Sequence, residues 1–133
     1  MARIRYNDRN SICSRGLTKR NTRILMKQHE YQLVLTTCPD VASAERIAQA
    51  LVSERLAACV NILPVAKSIY LWKGRVESAA EHLLIIKSMV RGYRTIQKRI
   101  LDLHPYELPE VIAVPVTGGF ADYLAWIRDP DKS

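Results

Sequence analysis

The segment Leu103-His104-Pro105-Tyr106-Glu107-Leu108-Pro109-Glu110 gathers an imidazole, a phenol and two carboxylates into one short stretch stiffened by two prolines. A proline fixes its own φ and biases the residue before it away from the helical region, so His104 and Leu108 are expected outside regular helix. Three roles compete for the histidine. With Glu107 or Glu110 as orienter it has the makings of a general acid and base, and as a neutral imidazole it suits a first-row metal ion. The plainest alternative is a cap on the carboxyl end of a helix, where partial positive charge is favoured.

Catalysis has little else behind it. The chain contains no G-x-S-x-G, no phosphate-cradling glycine loop and no H-E-x-x-H, and no second histidine lies near His104. The expectation is a protein that is not an enzyme, with a hydrolase acting through His104 as the weaker alternative. His29 falls at the edge of the amino-terminal tail, and His82 sits in a strand-like run where cross-strand packing explains it.

The three cysteines, Cys13, Cys38 and Cys59, are odd in number and show no Cys-x-x-Cys spacing, so neither a disulfide framework nor a zinc knuckle fits. A reducing cytoplasm is the simplest compartment. Cys59, inside Ala57-Ala-Cys-Val-Asn-Ile62, reads as a small buried hydrophobe.

The elements that must position these groups are legible from periodicity. Tyr31 to Thr37 reads as a strand bounded by Pro39-Asp40. Asp40 is placed to cap a helix whose Ala44, Ile47, Ala48 and Leu51 recur at helical spacing. Ala57 to Trp72 reads as a long strand interrupted near Pro64, and Lys73-Gly74 as the tight turn into a second long strand from Arg75 to about Ser88. Val90 to Leu103 places Tyr93, Ile96, Ile100 and Leu103 on one helical face. The His104 turn then delivers the chain to an apolar strand from Val111 to Val116, expected to be buried except that Pro115 demands an edge or irregular position. Ala121 to Arg128 closes with a short helix.

Strand, helix, strand, strand, helix, strand is the ferredoxin-like βαββαβ split of the α+β class, an antiparallel sheet with both helices on one face. The hairpin run carries Ile69, Tyr70, Leu71, Trp72 and Leu83 to Ile86, whose alternation points apolar side chains both ways. Two helices cannot cover both faces, so an obligate homo-oligomer is expected. No apolar run approaches the roughly 18 to 20 residues of a membrane helix.

The net charge of +7 is confined to the first residues. Positions 1–30 carry eight basic and two acidic side chains, leaving the remainder at +1. The folded part, 29–133, therefore gives no electrostatic case for a nucleic-acid partner. Positions 1–28 lack periodicity and read as a disordered basic tail: an arm for anionic surfaces, a targeting peptide, or the product of a start codon placed too early, with Met26 just before the first strand.

Five blocks in order carry a resemblance. Thr37-x-Pro39-Asp40, Leu56-Ala-Ala-Cys-Val-Asn-Ile62, Ser68-x-Tyr70-x-Trp72-x-Gly74-x-Val76, His104-Pro105-Tyr106-Glu107-x-Pro109-Glu110 and Tyr123-Leu124-x-Trp126 resemble the CutA divalent-ion-tolerance family across about residues 31 to 128. The resemblance implies a cytoplasmic homotrimer joined through its hairpins, similar in shape to PII signalling proteins, acting in the response to divalent metal ions and binding copper. Its copper ligands are a cysteine closing the first strand and two adjacent histidines. They carry over to Thr36, Leu103 and His104, so only His104 survives as a ligand, with Cys38 as a substitute thiolate if it is partly exposed beside the helix start. The runner-up is a small-molecule-sensing or interaction module with clefts between subunits, for which Lys67, Tyr106, Glu107, Glu110 and Trp126 are the candidate lining. Tyr70, Trp72, Tyr106 and Trp126 also read simply as packing residues.

Overall fold

The structure, a computed structural model, describes residues 29–132. The readings placed on positions 1–28 lie outside them.

Strand β1 (Tyr31–Cys38) alternates half-buried and buried residues along its whole length, the signature of a strand with one face on the core. It leads into α1 (Val41–Ser53), where Asp40 accepts a hydrogen bond from the Ser43 backbone N–H at 2.7 Å and so fills an orphan donor of the first turn. The expected stripe of Ala44, Ile47, Ala48 and Leu51 is buried. The hairpin follows as β2 (Cys59–Trp72) and β3 (Arg75–Met89). Lys73 and Gly74 both take positive φ, +50° and +78°, as a two-residue turn matched to strand twist requires. A 3-10 turn at Val90–Gly92 opens α2 (Tyr93–Leu103), which buries Ile96 and Ile100. Strand β4 (Ile112–Pro115), α3 (Ala121–Arg128) and a 3-10 turn at Pro130–Lys132 complete the chain.

The sheet order is β2-β3-β1-β4 with every neighbouring pair antiparallel, which is the ferredoxin-like arrangement. α1 and α2 close over one face with a core of Val34, Cys38, Ile47, Leu51, Leu84, Ile86, Ile96 and Ile100. α3 meets the sheet at Lys87, whose Nζ donates to the Tyr123 hydroxyl at 3.1 Å. Lys87 stands between buried Ile86 and Ser88 and so projects to the opposite face.

Two expectations are corrected. The apolar run expected to form a buried strand is an edge strand exposed at all four positions, with Ile112 and Val114 at 49% and 43%. None of the described residues covers it, and Pro115 sits at that edge as its missing donor demands. Cys59, expected to be buried, is only partly so, because it opens β2 at the sheet margin.

The break near Pro64 is a β-bulge. Leu63 pairs with Leu83 but Ala66 with Glu81, so β2 advances three residues while β3 advances two, and Val65 takes φ +60° at the bulge. The parity of β2 therefore reverses. Ile62 shares a face with Leu84, but beyond the bulge it is Ile69 and Leu71 that pair with Ser78 and Val76 on that same face, while Tyr70 and Trp72 pair with Glu77 and Arg75 on the other.

Neighbouring positions on α2 test the core. Ile100→Ala, at a site with no exposure, should lower the unfolding free energy by about 2–5 kcal/mol in urea melts. Leu101→Ala, 49% exposed, should change it by less than about 1 kcal/mol.

Candidate functional site

The groups singled out for chemistry meet where the end of β1, the end of α2 and the middle of β3 come together. His104 is the C-cap of α2, its backbone N–H donating to Ile100 O at 2.8 Å and its extended backbone turning the chain out of the helix. Only the main chain ends the helix in this way, and the ring is engaged elsewhere instead of supplying the partial positive charge expected of it there. The ring is buried and turned toward β1, with Nε2 2.7 Å from the carbonyl oxygen of Thr37. Nδ1 accepts the Tyr106 backbone N–H at 3.0 Å. A carbonyl can only accept and an amide N–H can only donate, so the proton is on Nε2 and the ring is neutral.

β1 continues through Cys38, so Thr36 and Cys38 point to the same buried face. Cys38 Sγ lies 3.8 Å from His104 Nε2. The condition set for Cys38 as a thiolate ligand, partial exposure with a lowered thiol pKa, is not met. The residue has no solvent exposure, and burial pushes its thiol up to about 11, assisted by the carboxylates of Asp40 and Glu81 against an opposing hydrogen bond with Ser43. The helix start does not rescue it, because the dipole acts on a group that water no longer solvates.

Tyr106 folds back over the cluster, its ring 5.0 Å from that of His104 and its hydroxyl donating to Glu81 Oε2 at 3.1 Å. Burial, then the bond to Glu81, raises the phenol to about 12. Glu81, only 6% exposed, was not singled out from sequence, since β3 also carries Arg75, Glu77, Ser78, His82 and Lys87 and one more charge there reads as solvated. Gln32 and Ser88 were likewise missed. They form a buried polar pair at the other end of β1, Gln32 Nε2 reaching Ser88 Oγ and Met89 O, and both occupy the core parity of their strands.

This donor set does not fit a copper centre. Both nitrogens of His104 are committed to the backbone, the Cys38 thiol is buried and protonated, and Thr36 and Leu103 offer no soft ligand. His82 pairs with Cys38 in the ladder and has a buried Nδ1 without a hydrogen-bond partner, yet among the described residues no three His, Cys, Asp or Glu side chains converge as metal ligands.

The cleft candidates do not assemble within one chain either. Tyr106 is tied to Glu81 beside the Cys38 end of β1. Trp126 stacks on Tyr123 in α3, whose Arg128 lies over Tyr31 at the other end. Eight residues of strand separate those ends, about 23 Å. Lys67 is exposed on the projecting hairpin, and Glu107 and Glu110 are exposed in the loop before β4.

A ferredoxin-like subunit with a hairpin longer than its sheet, and a polar cluster locked at one end of its first strand, is the class of protein that results. The profile of the CutA1 divalent ion tolerance protein matches residues 20–130, and the chain belongs to that family. It is 45% identical over 98 residues to the divalent-cation tolerance protein CutA of Thermus thermophilus, covering 74% of this chain and 95% of that one. It is 40% identical to the chloroplastic protein CutA of Arabidopsis thaliana, covering 76% of this chain and 56% of that one. The crystal structure of CutA from Xylella fastidiosa superposes with a TM-score of 0.73 at 47% identity, covering 74% of this chain and 95% of that one. Among the described residues no helix is long and apolar enough to cross a membrane.

The titrations set two expectations. Cys38 and Tyr106 have folded pKa values raised from 9.0 and 10.0 to about 11 and 12. Their contribution is complete below pH 9 and is lost as pH rises through those values, so denaturation midpoints should be flat to pH 9 and fall above it. Cys38 should resist alkylation in the native protein at neutral pH and react at once in denaturant.

Proposed function

We propose that this chain serves divalent-cation tolerance as a cytoplasmic homotrimer, and that its ligand sites form between subunits and not within one. The observation that carries this reading is the projecting half of the hairpin. β1 ends opposite His82, but the β2–β3 ladder runs on from Ala66↔Glu81 to Trp72↔Arg75 with no third strand beside it among the described residues. A two-stranded ribbon is marginal in water on its own. This one exposes Ile69, Leu71 and Val76 at 69%, 71% and 77% on one face and Tyr70 and Trp72 on the other. The edge strand β4 adds a further apolar, unpaired border. Burying these surfaces against other copies removes the exposure and the open edge together.

A reading through inter-subunit clefts accounts for the scatter of Lys67, Tyr106, Glu107, Glu110 and Trp126, which only neighbouring copies can unite. It also accommodates a response to cations without copper on the His104 and Cys38 pair. The sensing-module alternative shares the same clefts and differs only in the ligand.

Light scattering and native mass spectrometry should find three copies of the 15.2 kDa chain. Leu71→Asp together with Ile69→Asp should drive the protein to monomer, since each apolar side chain withdrawn from an interface forfeits about 1.5–3 kcal/mol. A wild-type monomer at micromolar concentration would refute the reading. Copper(II) titration followed by native mass spectrometry should give the same metal count for wild type and His104→Gln, whereas a lower count in the variant would restore His104 as a ligand.

A further inference from the structure

At the end of the sheet away from His104 the structure holds a cleft of about 180 Å³ that the reading above does not use. It opens between the end of α1, the 3-10 turn before α2 and the end of α3. Its charged lining consists of Arg55, Arg91 and Arg128, with no carboxylate among the lining residues. Its floor is apolar, chiefly Leu56 and Ile127. Ser88 also lines it, 1% exposed, with Oγ accepting from Gln32 Nε2 and its own proton given no acceptor among the described residues.

Three cations and a free hydroxyl donor facing one small space lack a counter-charge inside it. Arg55 and Arg128 reach outward, to Asp131 and Glu30, in pairs whose side chains are half or more exposed. Such exposed pairs are worth about 0–1 kcal/mol and exchange readily for a better acceptor. Arg91 forms no ion pair among the described residues. Guanidinium forks match the paired oxygens of carboxylate and phosphate, and no side chain caps the adjacent amino terminus of α2.

We propose that this cleft binds a small organic anion, its carboxylate or phosphate held by Arg91 with Arg55, Arg128 and Ser88, and its short apolar body laid on Leu56 and Ile127. The site is lined by residues of a single chain, and its occupancy ties together the ends of α1 and α3. A volume of about 180 Å³ is below that of drug-sized pockets and restricts the ligand to a few heavy atoms.

The test uses the full chain in its native assembly, at constant ionic strength, with inorganic phosphate, butyrate and butylamine as probes and backbone NMR as readout. Phosphate and butyrate should each give saturable shifts at Gly92, Thr95 and Ser88, with butyrate also moving the Ile127 methyl groups and butylamine moving none of them. Arg91→Glu, on an exposed turn, should weaken both anions by about tenfold or more, the scale of a charge-assisted hydrogen bond, and Ser88→Ala by a few fold. Folding of both variants is read in the same spectra. Shifts that never saturate, or that persist unchanged in Arg91→Glu, overturn the site as non-specific screening, and neither result bears on the trimer.

Discussion

Eight residues of β1 face fifteen of β3, and that mismatch governs the molecule. Where β1 runs alongside, the hairpin is half of a four-stranded sheet with helices on its back. Where β1 stops, the same two strands continue as a ribbon whose hydrogen bonds are complete along one line only. An isolated ribbon gains too little burial to offset the entropy of ordering its residues. The apolar side chains on both of its faces are what the proposed association of copies would cover. The bulge at Pro64-Val65 and the charges of Lys67 and Lys73 guard the edge of β2 against indiscriminate pairing, but they leave the apolar faces of Ile69 to Trp72 uncovered.

The polar cluster beside Cys38 follows from the same geometry. At the last residues of β1 the core must end and a helix must turn back, leaving a strand carbonyl and a loop amide to be satisfied out of water. His104 does both at once, accepting Tyr106 N–H and donating to Thr37 O. An imidazole is among the few side chains able to donate and accept from opposite sides of one rigid ring. Tyr106 then packs against it and donates its hydroxyl hydrogen bond to Glu81. Residue types that suggest reactivity in a linear reading here serve as connectors, and the raised thiol and phenol are the mark of that burial.

What could be read from the residues in order was whatever local chemistry decides. Lys73-Gly74 specified a turn, Asp40 a cap, Pro115 an edge, and the spacing of Ile96 and Ile100 a buried helical face. The five blocks that carried the family likeness were equally visible. What could not be read depended on elements far apart in the chain. The burial of Cys38 follows from α2 lying across the strand end, the tautomer of His104 from a carbonyl 67 positions away, and the exposure of Ile112 from its place at the margin of a sheet whose order no periodicity encodes. The arginine cleft escaped notice for a similar reason, because Arg55, Arg91 and Arg128 sit in three segments that read separately as ordinary solvated charge.

The bulge at Val65 has a consequence for how such an arm can change over time. One extra residue is absorbed at Pro64-Val65, so the numbering parity that faces the helices changes along β2 while every pairing beyond Ala66 is carried in register to the Lys73-Gly74 turn. A single-codon deletion there would leave Ile69 opposite Ser78 and Leu71 opposite Val76 but would straighten the strand, so what the extra residue supplies is the local bend and added twist of the arm. Substitutions along the arm can drift one at a time, but the length of this short stretch sets the direction in which the whole arm projects.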